Sequence, residues 1–333
     1  MIITRTPFRI SFFGGGTDYP AWYSQNEGLV IASTFAQYCY ISCRRLEPFF
    51  DYKTRVVYSK IESVDEHKKI EHPAVRGCLE YLGAEGGLEI HHDADIPARS
   101  GIGSSSSFTV GLLLALHGLR HEMPTKQKLA EEAIHVEQSV LQESVGIQDQ
   151  ILSANGGFRI IEMGPEIGGQ GYRVTPLILP PEFIENLRQH VLLGFTGLTR
   201  VASDIAREQI AKMEKGETRV SELLSIAKEA LHLFRNHADV DCLGKLLHHT
   251  WLLKRSLAHG ITTPEIDELY EAGLAAGAYG GKIMGAGGGG FIMFLAPPEC
   301  HARIKEALSN IRVWVPFNFE THGAQVIFYN DEY

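Results

Sequence analysis

The sequence predicts a protein of the α+β class with two domains. Strand patterns dominate the first half of the chain and helical patterns dominate residues 201–277, without the regular alternation of a doubly wound sheet. The length of 333 residues fits one large or two ordinary domains, and we favour two. The stretch 162–182 is rich in Gly and Pro and is the best candidate for the boundary. The predicted domains are therefore residues 1–178 and 179–333.

The predicted elements of the first domain are mainly strands. Alternating or β-branched runs predict strands at 2–13, 29–46 (one strand or two), 87–96 and 157–163. Helical spacing of apolar residues predicts helices at 104–120 and 126–142.

The predicted elements of the second domain are mainly helices. A strand at 190–195 runs into a loop and is followed by helical patterns at 201–238, 241–258 and 264–277. A strand, a helix and two further strands are then predicted at 291–296, 300–309, 313–319 and 324–329.

Composition and charge exclude several classes of protein. The net charge of −9 disfavours a general nucleic-acid binder, which needs a basic face for phosphate contacts. No apolar run reaches the ~18 residues of a membrane span, and the N-terminus lacks the pattern of a signal peptide. The five scattered cysteines indicate reduced thiols rather than a disulfide framework. We therefore expect a cytoplasmic protein without membrane or nucleic-acid partners.

Glycine is the unusual feature of the composition. Many of the 34 glycines fall into three clusters: Gly14–Gly16, Gly101 with Gly103, and Gly285 with Gly287–Gly290. Because glycine adopts positive φ and lets backbone approach a ligand closely, these clusters predict three loops that meet at one site.

The central cluster lies in the segment IPARSGIGSSSS, which precedes the apolar helix pattern at 104–120. The first turn of a helix presents unpaired N–H groups and partial positive charge, which together stabilise an anion. Serine hydroxyls can also contact phosphate or Mg²⁺. A helix N-cap would need only one serine, so we favour a phosphate-binding loop. It is not a Walker A loop, because no Lys follows Gly103.

Three motifs in this order resemble those of the GHMP small-molecule kinases. Residues 97–107 resemble the phosphate loop of that family, 5–20 its N-terminal motif and 282–294 its C-terminal glycine motif. The resemblance implies an N-terminal domain like ribosomal protein S5 and a ferredoxin-like α/β-plait C-terminal domain. It further implies ATP and Mg²⁺ as cofactors, with ATP bound by Pro97, Gly101, Ile102, Gly103, Ser104, Ser105, Ser106 and Ser107.

The same resemblance implies roles for individual side chains. Asp149 matches the catalytic aspartate, and Arg9 matches an arginine near the transferred phosphate. Ser105 and Glu137 match the Mg²⁺ ligands. Without the resemblance, Asp149 could be a helix cap, Arg9 a surface ion pair and Glu137 an exposed helix residue.

The remaining candidates concern the acceptor substrate. Those assigned to it are Gly16, Thr17, Asp18, Thr199, Arg200, Gly285, Gly287 and Gly288. Arg99 and Lys282 are further cations that could face a sugar phosphate. The glycines at 285–290 formally match a dinucleotide fingerprint, but a helix pattern precedes them and a strand pattern follows, which contradicts a Rossmann site.

Within the family, the form RISFFGGGTD most resembles heptose 7-phosphate kinases and, less closely, fucokinases. This implies transfer of phosphate from ATP to the anomeric hydroxyl of a heptose 7-phosphate. The alternatives are a kinase for a free sugar, a non-catalytic sugar or nucleotide sensor and, last, a nicotinamide-dependent enzyme. The pairs His91–His92 and His248–His249 lack chelating spacing and are interpreted as structural or surface residues.

Overall fold

A computed structural model describes residues 1–98, 100–198 and 202–330. Its strands are β1 (Ile2–Phe13), β2 (Gly28–Arg45), β3 (Thr54–Val57), β4 (Ile61–Val64), β5 (Leu88–Ala94), β6 (Arg159–Met163), β7 (Tyr172–Pro176), β8 (Val191–Phe195), β9 (Gly280–Ile283), β10 (Phe291–Leu295), β11 (Val313–Val315), β12 (Phe319–Glu320) and β13 (Gln325–Tyr329). Its α-helices are α1 (Pro20–Tyr23), α2 (Pro73–Tyr81), α3 (Ser104–Leu119), α4 (Lys126–His135), α5 (Gln148–Asn155), α6 (Pro181–His190), α7 (Ala202–Glu214), α8 (Val220–Arg235), α9 (Val240–Lys254), α10 (Pro264–Ala275) and α11 (His301–Ala307).

The larger sheet is built around the long antiparallel pair β1 and β2. Its main strand order is β13-β1-β2-β5-β3-β4. In addition, β6 and β12 pair with β2, and β7 pairs with β6. Helix α3 packs on this pair, where Gly111 lets the helix approach so closely that Thr4 Oγ1 donates to its carbonyl at 2.9 Å. The sheet and α3 thereby fix the position at which α3 begins.

The smaller sheet is antiparallel, with the order β11-β8-β10-β9. A separate cluster of buried apolar residues, including Trp251, Tyr270 and Phe294, packs between this sheet and helices α9 and α10. The mixed α and β architecture confirms the predicted class.

The end of the chain corrects the predicted division at residue 178. Strand β12 pairs with β2 and β13 pairs with β1, so both belong to the larger sheet. An unpaired β1 edge would expose backbone N–H and C=O groups to other chains, and β13 covers that edge. The range 179–333 is therefore not one structural unit.

Local differences from the predicted elements are small. The boundary stretch contains β7, which forms an antiparallel pair with β6. The helix predicted at 126–142 is α-helical only to His135 and then forms a π-turn at Val136–Val140. None of the helices within the described ranges is long and apolar enough to cross a membrane.

The far end of α3 is held by a buried histidine with two carboxylate partners. His117 is 2% exposed, and its Nδ1 lies 2.7 Å from Glu122 Oε2 while its Nε2 lies 2.6 Å from Glu132 Oε2. The hydrogen bond with Glu132, and then that with Glu122, raises the pKa of His117. The charged imidazolium therefore stabilises the folded state.

We expect His117→Gln to lower the free energy of unfolding by about 1.5–3 kcal/mol at pH 6, because hydrogen bonds to charged groups are lost. The pKa in the folded state is raised, so this contribution is complete below the ordinary value of 6.5 and declines as pH rises above it. Urea unfolding at pH 6 and pH 9 measures the difference. The exposed His259, substituted by Gln, is the control, and an equal loss at both pH values would contradict the assignment.

Candidate active site

A cavity of about 1050 Å³ lies between the larger and the smaller sheet. All three predicted glycine clusters line it, through Gly15, Gly16, Gly101, Gly103, Gly285, Gly287 and Gly289. This confirms that the three loops meet at one site. Gly288 does not line the cavity, because its N–H donates to the Ile261 carbonyl at 2.9 Å.

Helix α3 begins at the cavity wall, as the serine-rich segment predicts. Its N-cap is Gly103, which has a φ of 77° and no side chain that could cap the helix. The first turn of the helix lines the cavity. The lining residues of this turn are Ser104, Ser105 and Ser106. Aligned N–H groups and hydroxyls at a helix start suit a polyphosphate.

The other residues of the predicted phosphate loop have structural roles. Ile102 is fully buried in the core, and Ser107 Oγ donates to the Pro7 carbonyl at 3.0 Å. Pro97 is exposed and does not line the cavity, although Ile96 and Ala98 on either side do. The predictions that the side chains of Pro97, Ile102 and Ser107 contact ATP are therefore corrected.

The central and the last glycine loops lie directly against each other. A Cβ at Gly101 would stand 2.7 Å from the Met284 carbonyl oxygen, and one at Gly285 would stand 2.7 Å from the Gly101 Cα. The φ of Gly101 is also positive, at 79°. The last glycine motif therefore supports the phosphate loop from behind in addition to lining the cavity.

Arg9 and Asp149 line the cavity and form a bidentate ion pair. Arg9 Nε lies 2.6 Å from Asp149 Oδ1, and Arg9 Nη2 lies 2.8 Å from Oδ2. Arg9 Nη1 donates to the Gly101 carbonyl at 2.8 Å, which ties the pair to the phosphate loop. The Arg9 side chain is 5% exposed, whereas that of Asp149 is 24% exposed and accessible from the cavity.

Glu137 lies in the π-turn and contacts Ser106 rather than the predicted Ser105. Ser106 Oγ donates to Glu137 Oε2 at 2.9 Å, and the Gln150 amide donates to the same oxygen. Burial raises the pKa of Glu137 to about 7, and its Oε1 has no hydrogen-bond partner. Ser105 is exposed on the cavity wall. The carboxylate of Glu137, with one oxygen outside hydrogen bonds, and the hydroxyl of Ser106 are oxygen ligands of the kind that Mg²⁺ prefers.

Asp18 faces the cavity near the ion pair, but Thr17 does not. Asp18 is 2% exposed, its Oδ1 accepts from the Gly16 N–H at 2.9 Å and its Oδ2 accepts from Gln148 Nε2 at 2.9 Å. Burial raises the pKa of Asp18. Thr17 Oγ1 donates to the Gly14 carbonyl at 2.8 Å and accepts from the Leu29 N–H. The prediction of Thr17 as a sugar-binding residue is corrected, because its hydroxyl stabilises the glycine turn.

Two buried lysines also line the cavity. The sequence indicates Lys282 as a cation that could face a sugar phosphate, whereas Lys254 belongs to no motif and is not predicted from the sequence. Lys254 Nζ donates to the Gly285 carbonyl, and Lys282 Nζ donates to the Phe12 carbonyl at 3.1 Å.

One end of the cavity is aromatic and was also missed. The rings of His72 and Phe108 stack with centroids 4.7 Å apart, and Tyr58 and His92 contact them edge-on. Burial lowers the pKa of His72 and of His92, so both imidazoles are neutral near pH 7. His92 lines the cavity, and its packing against Phe108 agrees with the structural role interpreted from the sequence.

Helix α7, which packs beside α1, also forms part of the cavity wall. Its lining residues are Ser203, Ala206, Arg207 and Gln209. Thr199 and Arg200 were predicted at this helix start and Arg99 in the phosphate loop, and all three lie outside the described residues.

Comparison with known proteins agrees with this geometry. Residues 69–157 match the model of the GHMP kinases N terminal domain, and residues 227–311 match that of the GHMP kinases C terminal. The two matches together cover more than half of the chain, and the first contains α3 and Asp149. The chain belongs to the GHMP kinase family. GHMP kinases use ATP as a substrate.

Among curated relatives, a D-glycero-alpha-D-manno-heptose 7-phosphate kinase of Campylobacter jejuni is 27% identical over 97% of this chain and 98% of its own length. A mevalonate kinase of Pyrococcus horikoshii is 28% identical over 72% of this chain and 68% of its own length. A bifunctional fucokinase/GDP-fucose pyrophosphorylase of Arabidopsis thaliana is 24% identical, and the match covers 87% of this chain but 29% of that protein.

Solved structures share the GHMP kinase fold over almost the whole chain. A D-glycero-D-manno-heptose 1-phosphate kinase of Bacteroides thetaiotaomicron superposes with a TM-score of 0.78 at 22% identity, covering 99% of this chain and 100% of its own. A phosphomevalonate kinase of Streptococcus pneumoniae gives 0.74 at 13% identity, covering 98% of this chain and 100% of its own.

The contact between the two glycine loops predicts a large cost for a side chain at Gly101. Gly101→Ala should lose about 1–2 kcal/mol from the left-handed backbone and a further 1–3 kcal/mol or so from overpacking against Met284 and Gly285. Urea unfolding measures the loss. Gly83→Ala is the matched control, since Gly83 has a φ of 58° with nothing within 4 Å of its Cβ position. Equal losses for the two variants would contradict the prediction.

Proposed function

We propose that this GHMP kinase transfers the γ-phosphoryl group of ATP to the anomeric hydroxyl of a heptose 7-phosphate. One observation carries the proposal: the Arg9–Asp149 pair, the start of α3 and the buried carboxylate of Asp18 all line one cavity, and Arg9 is hydrogen-bonded to the phosphate loop. The full-length similarity to a heptose 7-phosphate kinase supports the choice of acceptor. The structural relative is named for heptose 1-phosphate, which supports a heptose phosphate as the acceptor. In the sugar of that name the phosphate is on carbon 1 rather than on carbon 7.

The triphosphate of ATP would lie on the first turn of α3, against Ser104, Ser105 and Ser106. The base would then reach the aromatic end of the cavity, where the flat rings of His72 and Phe108 offer a stacking surface. Their neutral state suits an uncharged nucleobase. The free thiols of the described cysteines and the use of ATP support a cytoplasmic location.

Glu137 and Ser106 are the residues that would hold Mg²⁺, and Ser105 lies beside them on the wall. Bound Mg²⁺ neutralises phosphate charge during phosphoryl transfer. In the described ranges no group of three or more His, Cys, Asp and Glu side chains forms a metal cluster. A Mg²⁺ ion bound through one carboxylate and substrate phosphates matches that ion's usual coordination.

Asp149 would orient the acceptor hydroxyl and accept its proton. Both carboxylate oxygens receive hydrogen bonds from Arg9, but each has a second lone pair that can accept from a substrate. The pair fixes the carboxylate in one orientation, so a hydroxyl bound there points at the phosphate loop. Positioning of this kind supplies much of the catalysis in phosphoryl transfer.

The rest of the acceptor would lie between Asp18 and α7. Asp18 is fixed by Gln148 and the Gly16 N–H, which prepares its carboxylate for sugar hydroxyls. Ser203 and Arg207 on α7 provide a hydroxyl and a guanidinium at the end of the cavity. These groups suit the existing phosphate of the substrate.

Similarity to the bifunctional fucokinase/GDP-fucose pyrophosphorylase of Arabidopsis thaliana favours a free sugar as the second candidate acceptor. ADP release on a panel of heptose 7-phosphate, heptose 1-phosphate, fucose and galactose separates the two. Turnover of a free sugar with none on either heptose phosphate would overturn the proposal.

Asp149→Asn should lower kcat by about 10²–10⁴-fold, the range for loss of a positioned base, while ATP still binds. Single-turnover assays and ATP binding by calorimetry measure the two effects. A non-catalytic sensor would keep its ligand response in this variant. Asp241→Asn is the control, because Asp241 is paired with Lys245 on α9 and does not line the cavity.

Arg207→Ala should raise KM for a phosphorylated sugar about tenfold or more and leave KM for ATP unchanged. Arg207 forms an exposed ion pair with Asp204 three residues earlier, and such pairs contribute little to stability. Arg188→Ala is the matched control, because Arg188 makes the same spacing of pair with Glu185 but does not line the cavity. An unchanged KM for the acceptor in Arg207→Ala would contradict this placement.

A further inference from the structure

Lys254 and Lys282 are buried cations without a carboxylate partner. Lys254 is the last residue of α9 and is 8% exposed, and Lys282 lies on β9 and is 3% exposed. Among the described residues neither takes part in an ion pair, and each has one backbone carbonyl as its hydrogen-bond acceptor. Burying an unpaired ammonium group is costly, so two such groups on one cavity indicate a binding site for an anion.

The charges around the two lysines explain why both cannot be fully charged in the free protein. Burial, then the charge of Arg9, lowers the pKa of Lys254 to about 8, while Asp18 and Asp149 act in the opposite direction. Burial, then the charge of Lys254, lowers the pKa of Lys282 well below its ordinary value. An incoming phosphoryl group would favour the charged form.

A chain of contacts connects Lys254 to the Arg9–Asp149 pair. Its ammonium donates to the carbonyl of Gly285, and Gly285 lies against Gly101. The carbonyl of Gly101 in turn accepts from Arg9 Nη1. Lys254 is thus separated from the Arg9–Asp149 pair by two glycines only. Lys282 instead donates to Phe12, on β1 beyond Arg9.

We propose that Lys254 is a further catalytic residue that binds the phosphoryl group while it moves from ATP to the acceptor. This rests on the proposed kinase function. The bond between the γ-phosphorus and the bridging oxygen of ADP breaks, a bond from the acceptor oxygen to phosphorus forms, and the hydroxyl proton goes to Asp149. Lys254 gives up no proton. Its charge is needed because that of Arg9 is already balanced by Asp149.

The first test compares Lys254→Met with Lys254→Arg. Loss of a charge that acts on the transferred group should lower kcat about 10²–10³-fold, with the KM of the acceptor and the Kd of ATP within threefold of wild type. Lys254→Arg should recover at least a tenth of the activity. Equal melting temperatures and ATP affinities exclude loss of the Gly285 contact as the cause.

The pH profile of kcat/KM gives a readout that a structural role would not move. The charged form of Lys254 is active, so activity of the wild type should fall as pH rises through about 8. Arginine stays charged, and Lys254→Arg should lack this alkaline decline.

Three outcomes overturn the assignment. A Lys254→Met variant with unchanged kcat refutes the assignment. A Lys254→Met variant in which only the KM of the acceptor rises shows instead that Lys254 binds the phosphate already present on the acceptor sugar. An alkaline decline that persists in Lys254→Arg also refutes it. If the wild type turns over no sugar of the panel, the proposed function and this role fail together, whereas an active wild type with an equally active Lys254→Met variant refutes only the role of Lys254.

Discussion

The close approach of Gly101 to Gly285 is the contact on which the site depends. It brings the phosphate loop, from the larger sheet's side, against the last glycine motif, which connects two strands of the smaller sheet. Arg9 donates to one of these glycines and Lys254 to the other. No other residue type has the space or the backbone freedom at Gly101. This single backbone contact therefore links Arg9 on β1 to Lys254 at the end of α9.

The charges of the cavity follow from this arrangement. Arg9 and Asp149 neutralise each other and act as a fixed orienting unit, whereas Lys254 and Lys282 form no ion pair among the described residues and donate to backbone carbonyls. An acidic chain with a net charge of −9 thus presents two ammonium groups outside ion pairs to its cavity, beside the carboxylates of Asp18 and Asp149. Low dielectric walls strengthen the attraction between such a group and an anion.

Local rules predicted the loops but not the direction of each side chain. The helix start at Ser104 and the convergence of the glycine clusters follow from backbone conformation, which neighbouring residues determine. Thr17 and Ser107 satisfy the same motifs, yet their hydroxyls bond to distant backbone carbonyls or close a turn. Lys254 stands at an ordinary helix end, and only the fold brings it to the cavity. The π-turn at Glu137 and the return of β13 to β1 likewise depend on contacts remote in sequence.

The return of the last strands gives the cavity its rigidity. Strands β12 and β13 pair with β2 and β1. The polypeptide therefore connects the two sheets twice, once before β8 and once after β11. Two connections restrict relative rotation more than one would, since each removes conformational freedom. Arg9 lies on β1, the strand whose edge β13 covers. Strand β13 pairs with β1 only at residues 2–5, whereas Arg9 pairs with Thr34 of β2 and its N–H donates to the Ile102 carbonyl of the phosphate loop at 3.1 Å. The end of the chain therefore fixes the start of β1, and β2 and the phosphate loop fix the backbone of Arg9.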